Sequence, residues 1–133
     1  MADPTLAAPS PLRVLVVDAD DLIREGLARL LPIGGRCLCV GSAGDVPTAL
    51  EAAAAISPDV VMIDGRFPSE AIGTSLLDRF RAACPNARIV VLNWTDADRL
   101  APRLAGADAY IKKTFRPHEL IDAVVNAART PVA

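Results

Sequence analysis

The residues able to do chemistry in this chain stand at the ends of its apolar runs. Asp18, Asp20 and Asp21 come directly after the run Arg13 to Val17, and Asp64 closes the run that starts at Asp59. Asn93 follows Arg88 to Leu92, and Lys113 follows Ala109 to Lys112. Taken singly, each has an ordinary use: an aspartate after a strand commonly caps a helix or opens a turn, and a lone lysine is commonly solvated. Taken together on one rim, they offer more. Clustered carboxylates repel one another and must protonate or hold a cation. Mg²⁺ suits them, because it takes hard oxygen ligands and keeps several waters. A lysine ammonium supplies compact positive charge for a phosphoryl oxygen, and an aspartate can accept a phosphoryl group covalently. Carboxylates, a divalent ion and a lysine together make a phosphoryl-transfer site.

Such a rim exists only if the elements between these residues bring them together. Arg13–Val17, Cys37–Val40, Asp59–Asp64, Arg88–Leu92 and Ala109–Lys112 are short continuous apolar runs, as expected of strands covered on both faces. Between them the pattern turns helical. Leu22, Ile23, Leu27, Leu30 and Leu31 form one stripe, with Arg24, Glu25 and Arg29 opposite. Asp45 is placed to cap a helix over Val46 to Ile56, closed by Ser57-Pro58. Ile72 to Ala83 and a short segment from about Ala97 to Leu104 read as the third and fourth helices, and Pro117 to Ala128 as the fifth. Pro102 is a poor helix residue, whereas Pro117 suits a first turn. Five βα units in succession imply an α/β fold: a flavodoxin-like (βα)5 doubly wound parallel sheet with strand order 2-1-3-4-5 and right-handed crossovers. Ligands in such sheets bind beyond the carboxyl ends of the strands, at the switch point between strands one and three. Asp18 and Asp64 fall there.

The 133 residues suit one domain, and 52% hydrophobic residues exclude a disordered chain. Only 4% are aromatic, so the core must be aliphatic. Met1 to Pro11 reads as a flexible tail and 12–130 as the domain, with no output domain in this chain. A net charge of -2 argues against a nucleic-acid surface. No apolar run is long enough to span a membrane. Cys37, Cys39 and Cys84, odd in number and without metal-knuckle spacing, read as reduced, mostly buried thiols of a cytoplasmic protein.

Three stretches carry a resemblance. Val14-Leu-Val-Val-Asp18-Ala-Asp-Asp-Leu-Ile-Arg24-Glu-Gly26-Leu, Pro58-Asp59-Val-Val-Met-Ile-Asp64-Gly-Arg-Phe-Pro68 and Gly106-Ala-Asp-Ala-Tyr110-Ile-Lys-Lys113 occur in order and at the right spacing. The chain, from about Arg13 to Arg129, resembles the receiver domains of two-component response regulators, and the Arg-Glu-Gly-Leu segment is similar to receivers that precede helix-turn-helix domains. The resemblance implies that Asp64 is the phosphoacceptor, loaded by a histidine kinase or other phosphodonor. Lys113 and Asn93 would contact the phosphoryl group. Mg²⁺ would be held by Asp64, by Asp18 through water, by the backbone carbonyl of Arg66 and, with a further turn of the chain, by Asp20. Tyr110, Trp94 and Phe115 would form a switch face on the fourth helix, fifth strand and fifth helix, where a protein partner binds or a weak homodimer of an otherwise monomeric chain forms. The protein would be a signalling module and not an enzyme.

Departures from the family pattern matter as much. The family has two adjacent acids after strand one, and the second is here Ala19, which cannot ligate a metal. It has Thr or Ser where Asn93 stands, with Thr95 two residues on, and commonly Pro where Thr114 stands. These changes leave room for a pseudo-receiver that binds partners without phosphorylation. Asp18-Ala19-Asp20 is also similar to the opening of haloacid-dehalogenase-type phosphatases. That family needs a late acidic cluster, and Glu119 and Asp122 both fall inside a helix.

Overall fold

The computed structural model describes residues 10–67, 76–93 and 106–129. Its strands are β1 (Leu12–Val17), β2 (Cys37–Ala43), β3 (Val60–Asp64), β4 (Arg88–Asn93) and β5 (Ala109–Lys112). The helices are α1 (Asp21–Leu30), α2 (Val46–Ile56), α3 (Leu76–Ala83) and α4 (Pro117–Arg129). All strand pairs are parallel and the order is β2-β1-β3-β4-β5, as the βα alternation requires. Ile72, the helix expected over Ala97 to Leu104, and the tail before Ser10 lie outside the described residues.

The inner strands are apolar and buried over Val14–Val17, Val60–Ile63 and Ile89–Leu92 because both faces are covered there. Leu15, Val17, Val61, Ile63, Ile89 and Val91 face α2 and α3, packing with Ala49, Ala53, Leu76, Leu77 and Phe80. Val14, Val16, Val60, Met62, Val90 and Leu92 face the other way, against Leu27, Leu31, Leu120, Val124 and Val125 of α1, its end and α4. Side chains alternate along a strand, so consecutive residues serve different cores. Each fully buried Val, Leu or Ile contributes roughly 1.5–3 kcal/mol.

Two expectations change. Leu22 is 81% exposed. It lies five residues from Leu27, well off the stripe at 3.6 residues per turn. The second strand runs three residues beyond Val40, because a register shift at Val14/Leu15 absorbs one residue and lets Ala43 pair with Val17. That shift carries the Ala43 carbonyl to the Asp18 amide, 3.1 Å away. Gly41 is required there: a Cβ would stand 2.8 Å from Ile56 Cδ1 and 3.3 Å from Leu15 Cδ1.

The ends of the helices follow the sequence. Asp45 caps α2 by accepting from the Thr48 amide at 2.9 Å, and Pro47 sits in its first turn. Ser57 takes a left-handed conformation (φ 50°) at the other end. There the Arg13 guanidinium donates to the carbonyls of Ser57 and Ile56 at 2.9 and 3.0 Å.

All three cysteines are free thiols. Burial pushes each above the ordinary 9.0, although Arg36 and Arg129 partly offset this at Cys37 and the Gly41 hydrogen bond does so at Cys39. A raised thiol pKa in the folded state holds its proton, so its share of stability is complete below pH 9.0 and is lost as the pH rises through the folded value. Native protein is therefore expected to resist iodoacetamide at pH 7 at Cys37 and Cys84 and to label fully in urea. Its denaturation midpoint should fall above about pH 9. Rapid native labelling of Cys84 at pH 7 would contradict this.

Candidate functional site

Register brings the rim together. Val17 pairs with Ile63, so Asp18 and Asp64 emerge side by side. Asp64 pairs with Leu92, and Asn93 with Lys112. Lys113 leaves β5 with its amide donating to the Asn93 carbonyl at 2.7 Å. Its side chain has 0% exposure and its Nζ donates to both acids, 2.7 Å to Asp18 Oδ2 and 3.0 Å to Asp64 Oδ1. Asp18, Asp64, Asn93 and Lys113 are the four buried polar or charged residues among those described. A buried ammonium needs such partners, since an unpaired charge in a poorly solvated site is strongly disfavoured.

Every polar function of Asp18 has a partner. Its amide donates to the Ala43 carbonyl and its Oδ1 accepts from the Asp20 amide at 2.9 Å. Its Oδ2 takes Lys113, and its carbonyl accepts from Arg24 Nη1 at 2.8 Å. Arg24 also donates to Asp21 through Nη2 at 2.6 Å. The helical stripe placed Arg24 on the solvent side of α1. The Asp21–Arg24 spacing of three was the available signal that it folds back over its own first turn.

Asp20 does not join the metal-side carboxylates. Its Oδ1 accepts from the amides of Leu22 and Ile23 at 2.9 and 3.1 Å, which makes it the N-cap of α1. The helix needs an acceptor at that position. Ala19 offers no oxygen in its side chain, so two carboxylates face the rim where the sequence hinted at three. Among the described residues no group of three or more His, Cys, Asp or Glu is placed to hold a metal. Asp18, Asp64 and the backbone after β3 still form a hard-oxygen donor set. It fits a cation that keeps most of its water, as Mg²⁺ does.

The turn after β3 is shaped by Gly65. Its amide donates to the Leu92 carbonyl at 2.6 Å. A Cβ would collide with Asn93 Oδ1 and lie 2.9 Å from the Leu92 oxygen. Asn93 is 5% exposed and its Oδ1 has no hydrogen-bond partner among the described residues. Arg66 Nε lies 4.0 Å from Asp64 Oδ2, with its side chain 58% exposed.

Of the residues expected to share a switch face, Tyr110 and Phe115 lie on opposite sides of the sheet. Tyr110 is partly buried against the core cluster on the α2 and α3 side of the sheet, and its hydroxyl accepts from the Ala107 amide at 3.2 Å. Phe115 lies past the rim on the opposite side of the sheet, 42% exposed, where a Cβ on Gly26 of α1 would come within 3.7 Å of its ring. The chain crosses over the sheet after Lys113 to start α4 on the α1 side, and this separates them. Trp94 and Thr95 lie outside the described residues.

The family of the response regulator receiver domain matches residues 14–125. This chain belongs to that family. The receiver is 28% identical over 120 residues to the nitrate/nitrite response regulator protein NarL of Escherichia coli, covering 89% of this chain and 55% of that protein. It is 33% identical to the DNA-binding transcriptional activator DevR/DosR of Mycobacterium tuberculosis, covering 90% and 56%. The chain thus spans about half the length of the curated relatives it matches. The signal receiver domain of the putative response regulator NarL from Mycobacterium tuberculosis superposes with a TM-score of 0.76 at 30% identity, covering 92% of this chain and 100% of that one. The response regulator domain of Thermotoga maritima CheB gives 0.74 at 24% identity, covering 92% and 99%, a likeness of fold. Receiver domains are in general non-enzymatic signalling modules that interact with histidine kinases or phosphodonors, and they typically bind Mg²⁺ at the phosphorylation site. No helix among the described residues is long and apolar enough to cross a membrane.

The shared ammonium makes a direct prediction. Lys113→Met leaves two buried carboxylates without their cation and should destabilise the receiver by about 3 kcal/mol in urea denaturation. Adding Asp18→Asn should recover part of the loss. A single variant as stable as the parent would show that Lys113 does not hold the rim together.

Proposed function

We propose that this receiver accepts a phosphoryl group on Asp64 and signals by the resulting change in its affinity for a protein partner. The observation that carries the reading is the buried Lys113 ammonium, hydrogen-bonded to both Asp18 and Asp64 at the carboxyl ends of adjacent strands. An oxygen of the Asp64 carboxylate attacks the phosphorus of a histidine kinase's phosphoimidazole or of a small phosphodonor. A P–O bond forms, the bond to the leaving group breaks, and the leaving nitrogen or oxygen keeps the electron pair. Lys113 meets the incoming negative charge on the phosphoryl oxygens. Asn93 donates from its carboxamide Nδ2 where relatives have a hydroxyl; turning that group about its last bond exchanges its donor and acceptor ends. Asp64, the Arg66 carbonyl and, through water, Asp18 would hold Mg²⁺. Bound there, the ion offsets charge developing on the phosphoryl group. The partner-facing surface is the one formed by the segment from about Ala97 to Leu104, β5 and α4, with Tyr110 reporting the state of the rim. The three free thiols support a cytoplasmic location.

A phosphorylation-independent binding module is the second reading, favoured by Ala19 and by the turning of Asp20 onto α1. One experiment separates the two. The protein is incubated with Mg²⁺ and phosphoramidate or acetyl phosphate, and its intact mass is recorded beside Asp64→Ala. A single phosphoryl adduct, missing in the variant, is expected; no adduct with either donor would favour the second reading. Ala19→Asp should bind Mg²⁺ about tenfold tighter, because ligand charge raises affinity for a hard cation. An unchanged titration curve would mean that Ala19 is not the weak point of the site.

A further inference from the structure

We propose that Arg24 is a positioning residue for this site, a clasp that holds Asp18 in place and that closes only because residue 44 is glycine. The proposal deepens the phosphoacceptor reading above and rests on it for its consequence, though not for its geometry.

Arg24 is mostly buried for an arginine, its side chain 19% exposed. Its two terminal nitrogens reach two parts of one loop: Nη1 to the Asp18 carbonyl at 2.8 Å and Nη2 to Asp21 at 2.6 Å. A planar fork of this kind fixes both acceptors relative to each other, which an ammonium cannot do. The guanidinium lies over Gly44, between β2 and α2. A Cβ at Gly44 would stand 2.6 Å from Arg24 Nη1 and 3.6 Å from the Asp18 oxygen. The Asp45 carboxyl next to Gly44 is held below its usual range chiefly by the Thr48 hydrogen bonds, with a smaller contribution from the charge of Arg24. One side chain therefore ties the β1–α1 loop to the first turn of α1 and lies against the β2–α2 loop at Gly44.

The tie matters because of Ala19. In a rim with two adjacent acids, a bound cation helps organise this loop through both. Here Asp18 faces the rim alone from β1, and its orientation depends on protein contacts. Its carboxylate is held by the Asp20 amide on one oxygen and Lys113 on the other, while its backbone is held by Ala43 and Arg24. Of these, Arg24 is the contact a small change elsewhere can remove. Gly44 has no left-handed φ, so alanine is allowed there by the backbone. The atom it would displace is the far end of a flexible side chain. Gly44→Ala should therefore leave the fold intact and open the clasp without altering Arg24.

The test compares Arg24→Ala, Arg24→Lys, Asp21→Asn and Gly44→Ala with the parent protein. The first readout needs neither metal nor phosphodonor: hydrogen exchange of the Asp20 amide, which donates to the Asp18 carboxylate. Loss of a charged hydrogen bond at the loop should speed it about tenfold in Arg24→Ala and Gly44→Ala, with β3 amides unchanged. Arg24→Lys should be intermediate, and Asp21→Asn, which keeps an acceptor oxygen but loses the charge, should weaken only one arm. The second readout is the rate of adduct formation from phosphoramidate across Mg²⁺ concentrations. Half-saturation should move about tenfold higher in the two open-clasp variants, as for other residues that orient a ligand. The rate at saturating Mg²⁺ should change less. Exchange at Asp20 that matches the parent in Gly44→Ala overturns the proposal. A parent that never forms an adduct defeats the Asp64 reading, while the exchange data still decide whether Arg24 holds the loop.

Discussion

One ammonium group organises the functional end of this protein. Lys113 arrives from the far side of the sheet with its side chain fully buried and is shared between carboxylates from β1 and β3. Two buried acids side by side would repel each other and one buried lysine would be poorly solvated, so each makes the others tolerable. The arrangement requires that β5, three places away from β1, stop at the right height. The parallel register does this, with Asn93 opposite Lys112 and Asp64 opposite Leu92. Site and sheet topology are the same constraint expressed twice.

Much of this was legible in the residues. Short continuous apolar runs rich in β-branched residues, such as Val60 to Ile63, fit strands covered on both sides. Four of the five runs lead into a residue whose chemistry does not belong in a core, Asp18, Asp64, Asn93 and Lys113. Order and polarity then place Asp18, Asp64, Asn93 and Lys113 on one rim. The Asp45 cap, Pro117 at the head of α4 and the stop at Ser57 were equally plain, because capping depends on immediate neighbours.

What escaped the sequence depended on side-chain direction over short distances. Asp20 and Asp18 are both aspartates after β1, yet one caps a helix and the other faces the rim. The choice turns on where the backbone leaves the strand. Leu22 looked like a core residue because leucines neighbour it in sequence, while the helix geometry turns it outward. Tyr110 and Phe115 are five residues apart, but the crossover after Lys113 puts the sheet between them. Arg24 looked like one more charge on a wet face; its role is visible only when Gly44, twenty residues later, lies beneath its guanidinium.

The sheet also acts as a partition. Odd-numbered positions of β1, β3 and β4 belong to the packing problem with α2 and α3, and even-numbered ones to that with α1 and α4, with no apolar atom able to serve both. Volume lost on one side cannot be recovered by a larger residue on the other, so substitutions in the two cores should combine additively and drift independently. Only at the rim do the two halves act on the same atoms. A rearrangement there is the one kind of event that both sides of the molecule can register together.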